Sequence, residues 1–157
     1  MAETDRPGHD ASGHRFCVVA ARFNEAYVRR LVDAALEVLR ARGAAPDDLE
    51  VVWVPGSFEL PLACRWAARS GRYDAVLAFG VLIRGETEHF RLVAEAVTQG
   101  LQRVACETGV PVLHGVLAVH DAAQAAARTG GVHGNRGAEV ALAAIQMAAL
   151  KARAGAR

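Results

Sequence analysis

A chain of 157 residues, 52% hydrophobic and with a formal net charge of +1, is long enough to fold as one domain burying roughly 70% of its unfolded surface. The near-neutral balance lacks the basic footprint of a nucleic-acid or acidic-membrane partner, and no apolar run reaches the ~20 residues that span a bilayer as a helix. Cys17, Cys64 and Cys106 are odd in number, far apart and set in apolar surroundings, so they read as small buried hydrophobes in a reducing compartment, the cytoplasm.

Residues 1–14 contain no apolar core of the kind a signal peptide needs and read as a polar, mobile tail ahead of a single domain over 15–157. Residues 16–20 (FCVVA) predict a buried strand, followed by Arg22-Phe23-Asn24. Val28, Leu31, Val32, Ala35, Leu36 and Leu39 recur at helical spacing, with Gly43 as the stop. Pro46-Asp47-Asp48 predicts a turn and residues 51–54 a second strand. Pro55-Gly56-Ser57-Phe58-Glu59-Leu60-Pro61 then opens a helix to Ser70. Pro61 suits a first turn, where a missing N–H costs little, and Glu59 complements the helix dipole there. Gly71 ends this helix.

Residues 74–90, DAVLAFGVLIRGETEHF, organise the rest. Residues 75–79 form an apolar run without polar alternation, the pattern of a strand buried on both faces. Gly80 interrupts it, Val81-Leu82-Ile83 follow, and the chain turns abruptly polar at Arg84-Gly85-Glu86-Thr87-Glu88-His89. Val93, Ala94, Val97, Leu101, Val104 and Ala105 then mark a helix, with Thr87 placed to cap it. Strand, glycine-bounded loop and helix aim free amides and the positive dipole end at one point, which suits a phosphate. The spacing Gly80-x-x-x-x-Gly85-Glu86-Thr87 mimics a nucleotide-binding loop, but Glu86 stands where the essential lysine would be. That excludes an NTPase and leaves a single phosphate with an arginine nearby.

Residues 110–117 predict the fourth strand, with Pro111 at its start. Asp121 is placed to cap a short helix over 122–129, the glycine-rich segment 130–134 breaks it, and an alanine-rich helix runs over 135–153. Strands alternating with helices predict an α/β fold with a mostly parallel sheet covered on both faces. Ligands of such folds sit beyond the carboxyl ends of the strands. The polar clusters 22–24, 57–59, 84–89 and 118–121 all fall at such ends.

Each candidate has two readings. His89, at a helix start, is either a solvated polar side chain or a general acid/base, since histidine alone titrates near neutrality unperturbed. Phe23 is either a core phenylalanine or a stacking platform for a planar ring. Ser57 and Glu59 are either cap and dipole residues or hydrogen-bonding partners of a polyol. Arg128 is either a favourable cation at a helix end or a phosphate clamp. His114 and Arg136 are individually uninformative. The six histidines and the cysteines show no metal-ligand spacing, so no metal and no cofactor is expected.

Taken in order, Arg22-Phe23-Asn24, Val54-Pro55-Gly56-Ser57-Phe58-Glu59-Leu60-Pro61, Tyr73-Asp74-Ala75-Val76, the run from Gly80 to Phe90, the run from Pro111 to Leu117, Gln124-Ala125, Arg128 and Gly134-Asn135-Arg136-Gly137 resemble the lumazine synthases of riboflavin biosynthesis, over about Arg15 to Lys151. The resemblance implies a flavodoxin-like three-layer sandwich with a four-stranded parallel sheet. It also implies a transferase that condenses 5-amino-6-(D-ribitylamino)uracil with 3,4-dihydroxy-2-butanone 4-phosphate. By the family pattern Phe23 stacks on the pyrimidine, Ser57, Phe58 and Glu59 hold the ribityl chain, and Val81, Leu82 and Ile83 contact the pyrimidine largely through backbone. Gly85, Glu86 and Thr87 bind phosphate with Arg128 of a neighbouring copy, His89 moves protons, His114 likewise comes from across the subunit boundary, and Arg136 is a further candidate. The implied partners are further copies of the chain, in homopentamers or a sixty-subunit shell, and riboflavin synthase. His114 replaces a frequent phenylalanine, Arg136 a frequent lysine and Ala118 a frequent threonine. A flavin-binding protein or a shell protein without catalysis is the rival reading.

Overall fold

The computed structural model describes residues 8–155. The chain runs β1 (Phe16–Ala21), α1 (Glu25–Ala41), β2 (Leu49–Val54), α2 (Leu60–Arg69), β3 (Ala75–Ile83), α3 (His89–Thr108), β4 (Val112–Val119), α4 (Ala122–Arg128), β5 (Thr129–Gly131), β6 (Gly134–Asn135) and α5 (Arg136–Arg153). Strands β2-β1-β3-β4 form one parallel sheet in that order, flanked by helices on both faces. It is a flavodoxin-like three-layer α/β sandwich.

Side-chain alternation along the strands divides the interior into two cores. Phe16, Val18, Ala20, Leu77 and Phe79 point to the α1/α5 layer, where they meet Leu31, Val140 and Ile145. Cys17, Val19, Val76 and Ala78 point to the α2/α3 layer, where they meet Leu60, Val97 and Leu101. A strand buried on both faces has no polar positions to show, which is why β1 and β3 read as unbroken apolar runs. After β2 is laid on one side of β1, all later strands of the sheet add on the other. The carboxyl ends of β1 and β3 therefore flank the topological switch point, the usual crevice for ligands in open α/β sheets.

Local signals account for most element ends. Asp121 accepts the Gln124 amide at 2.8 Å and caps α4. Asn135 accepts the Gly137 amide at 2.8 Å and caps α5. Gly109, at φ 69°, ends α3.

Several expectations are corrected. Gly80 does not bound a loop. It lies inside β3, paired with Val116, and is glycine because a β-carbon there would collide with the Ser57 hydroxyl. Ala118 and Val119 belong to β4 rather than to the loop after it. The glycine-rich segment after α4 is a short antiparallel hairpin, β5-β6, not a simple turn. Cys17 and Cys64 are buried as expected, and burial pushes the Cys17 thiol up to about 12 and Cys64 higher still. Cys106 is instead exposed on α3, on the side it shares with the exposed polar residues Gln102, Arg103 and Glu107. Residues 1–7 of the expected tail, and residues 156–157, lie outside the described residues. The packed chain nevertheless reaches back beyond Arg15: Ala11 is fully buried and its amide donates to the Arg42 carbonyl at 2.9 Å. One small apolar residue in a polar stretch has no periodicity to announce its burial.

Candidate active site

The loops beyond β1, β2 and β3 surround a cleft of about 780 Å³ at the carboxyl end of the sheet. The β1 loop is held against β2 by a continuation of the strand ladder: the Arg22 amide donates to Val54 O at 2.8 Å and the Phe23 amide to Pro55 O at 3.1 Å. Phe23 is thereby presented to the cleft with 68% of its surface exposed, so it is no core side chain. The turn before α2 supplies Ser57, Phe58 and Glu59. Ser57 is buried at the base beside Gly80, while Phe58 is 65% exposed. Two aromatic rings, a hydroxyl and a carboxylate thus share one cleft.

The β3 end supplies Leu82 and Ile83, and the following loop brings Gly85, Thr87 and His89 to the same cavity. Among the described residues the amides of Gly85, Glu86 and Thr87 donate to no backbone carbonyl, and they lead directly into the positive end of the 20-residue α3. Glu88, not Thr87, occupies the N-cap position, yet the Thr87 hydroxyl still accepts the His89 amide at 3.3 Å. The Glu88 carboxylate accepts from Arg91 Nε at 2.8 Å, and that hydrogen bond holds the carboxyl below its ordinary range. Phe90, Leu92 and Val93 in the first turns of α3 form an apolar wall of the cleft. They are absent from the candidates because helical spacing assigns Val93 to the core and leaves Leu92 as a scattered surface residue.

Five expected site residues are not part of this lining. Val81 is fully buried, and its carbonyl accepts from Asn24 Nδ2 at 2.7 Å. Glu86 is an exposed member of the loop. His114 lies on the edge strand β4 with its Nε2 3.0 Å from Thr98 Oγ1. Arg128 ends α4 and donates to the Gln124 carbonyl at 3.3 Å. Arg136 opens α5 and pairs with Glu139 at 2.9 Å. Within one copy of the chain the cleft thus has an aromatic platform, a polar floor and an anion loop, but not the arginine expected to clamp a phosphate.

Among the described residues, no group of three or more His, Cys, Asp or Glu side chains is placed to hold a metal ion, and no helix is long and apolar enough to cross a membrane. The sequence pattern of 6,7-dimethyl-8-ribityllumazine synthase matches residues 13–152. The chain belongs to the lumazine synthase family. It is 50% identical over 133 residues to the 6,7-dimethyl-8-ribityllumazine synthase of Halorhodospira halophila, covering 85% of each chain. To the enzyme of that name from Gemmatimonas aurantiaca it is 47% identical over 135 residues, covering 86% of this chain and 82% of the relative. The Arabidopsis thaliana relative, named as chloroplastic, is 43% identical over 138 residues, which are 88% of this chain and 61% of that one. At these identities the lumazine synthase reading displaces a non-catalytic flavin-binding or shell protein.

Proposed function

We propose that this chain catalyses the lumazine synthase reaction, condensing 5-amino-6-(D-ribitylamino)uracil with 3,4-dihydroxy-2-butanone 4-phosphate to 6,7-dimethyl-8-ribityllumazine. The observation that carries this reading is the convergence of an exposed Phe23, the Ser57-Phe58-Glu59 turn and the open-amide loop leading to His89 on one cleft, in a chain of this family. The chemistry asks for little else. The ring amine attacks the ketone and loses water, phosphate is eliminated, and ring closure releases a second water. Each step moves protons and none changes the overall oxidation state, so positioned acid/base and anion-stabilising groups suffice.

In this reading Phe23 stacks on the pyrimidine, which offers it a flat apolar face. Ser57 and Glu59 donate to and accept from the ribityl hydroxyls beside Phe58, and the Leu82-Ile83 backbone meets the ring edge. The Gly85, Glu86 and Thr87 amides cradle the departing phosphate at the helix terminus, with the Glu86 carboxylate facing solvent. His89, one residue beyond that loop, transfers protons.

Assembly completes the site in the same reading. The missing cation would come from a second copy, whose Arg128, Arg136 and His114 occupy the β4 side of the fold. Two unlike apolar patches support a heterologous contact that closes into a ring. One is Phe58, Leu62 and Trp66, spaced four residues apart and 65%, 53% and 67% exposed. The other is a groove of about 450 Å³ lined by Pro111, Leu113, Met147 and Leu150 at the β4 edge. Helix α2 packs over β1 and β3, whereas the groove lies at the β4 edge between α3 and α5, so the two patches are distinct. By resemblance to the family, the unit in this reading is a homopentamer, with a sixty-subunit shell as the higher form, in the cytoplasm and with riboflavin synthase as the enzyme that consumes the product. The test is incubation with both substrates. Fluorescent lumazine and inorganic phosphate formed in equal amounts support the reading, whereas saturable ligand binding without either product contradicts it.

A further inference from the structure

Asn24 is the one non-glycine residue with positive φ among the described residues, at φ 59° and ψ 40°. Side chains tolerate this left-handed conformation poorly, asparagine better than most, and glycine best. Conformation alone would be met most cheaply by glycine, so the amide side chain invites a reason. Its Nδ2 donates to the Val81 carbonyl, 57 residues further on, at 2.7 Å. The pairing of β1 with β3 has ended by then, at Ala20 with Phe79, so the side chain bridges the two strands where the sheet ladder no longer does. The neighbouring Phe23 is meanwhile tied to the β2 side through Pro55 O.

We propose that Asn24 is a positioning residue that clamps the Phe23 platform to the end of β3, fixing the gap into which the planar substrate ring slides. The proposal rests on the reading of Phe23 as that platform. One end of the clamp is next to Phe23 and the other precedes Leu82 and Ile83, so a single hydrogen bond sets both walls of the ring slot. The anion loop beyond Arg84 is anchored separately, through the Arg84 amide to Val119 O at 2.8 Å. Loss of the clamp therefore loosens ring binding and spares phosphate binding.

Asn24→Gly keeps the left-handed turn and removes the clamp. Asn24→Asp keeps size and shape, removes the donor and serves where the glycine variant folds poorly. Affinity is measured by calorimetry for 5-amino-6-(D-ribitylamino)uracil alone and for inorganic phosphate alone, in wild-type and Phe23→Ala backgrounds. Either variant is expected to weaken ring binding about three- to tenfold, the effect of one hydrogen bond, with phosphate affinity unchanged. In the Phe23→Ala background the same change should cost clearly less, because one of the two walls it sets is already gone. Wild-type ring affinity in a folded Asn24→Asp protein, or equal losses in both backgrounds, would overturn the proposal. Full ring affinity in Phe23→Ala alone would instead remove the platform itself, a separate failure.

Discussion

Gly80→Ala should damage the candidate site from within the sheet. The added β-carbon would overlap the Ser57 hydroxyl and stand 3.3 Å from Leu60 Cδ1 and 3.4 Å from Ser57 Cβ. Leu60 is fully buried and has no space to retreat into, whereas Ser57, though only 5% exposed, borders the cleft. Overfilling a packed site of this kind costs ~1–3 kcal/mol. The cheapest relief is rotation of the Ser57 hydroxyl, which withdraws the group assigned to the ribityl chain. The variant should therefore lose roughly that stability in a denaturant titration, with a raised KM for the ribityl substrate and an unchanged KM for the butanone phosphate. Ser57→Ala removes the closest obstructing atom, so Gly80→Ala with Ser57→Ala should regain most of the stability but none of the ribityl affinity. A Gly80→Ala protein with native stability and native KM would refute the contact and the role given to Ser57 together.

His89→Ala should lower turnover by about ten- to a thousandfold, the range for losing one proton-transfer group, with little change in substrate affinity; an unchanged single-turnover rate would remove His89 from the chemistry. Arg128→Ala should weaken inorganic phosphate binding about tenfold or more, as expected for a charge-assisted hydrogen bond, read by calorimetry on the assembled protein. Retained phosphate affinity would leave Arg128 as a helix-end cation. Partial desolvation beside α3, with the Arg136 charge adding to it, holds the imidazole of the still solvent-accessible His114 below its ordinary value of 6.5. The unfolded chain then takes the proton first as pH falls, so stability is full above 6.5 and declines from there toward the folded value. Thermal midpoints measured downward from about pH 7.5 should show that decline in the native protein and a flatter profile in His114→Phe.

Much of the fold was legible because its strongest determinants are local. The unbroken apolar runs of β1 and β3, the helical spacing from Val28 to Leu39 and the Asp121 cap each need only a few neighbouring residues to be read. What was misread depends on distant partners. Gly80 looks like the mouth of a loop because a glycine in an apolar run gives the same signal for a break and for a close approach. Here the approaching atom is Ser57 Oγ, far away in sequence. Asn24 is unreadable for a similar reason, since neither its backbone hand nor its bond to Val81 leaves a local trace. Cys106 misled because its immediate neighbours Val104 and Ala105 are apolar, while the buried side of α3 is the one bearing Val97, Leu101 and Val104. The order of the site motifs was readable. That Phe90, Leu92 and Val93 wall the same cleft was not, because it depends on which side of α3 borders it.

The most direct test of the whole account mixes two inactive proteins, Phe23→Ala and Arg128→Ala, after dissociation and reassembly. Each alone should form little or no lumazine. In an equal mixture with random assembly, about a quarter of the interfaces pair an intact Phe23 with an intact Arg128 from the neighbour. Lumazine formation should return to about that fraction of the native rate. No recovery in assemblies verified to contain both variants would contradict a site shared between copies of the chain.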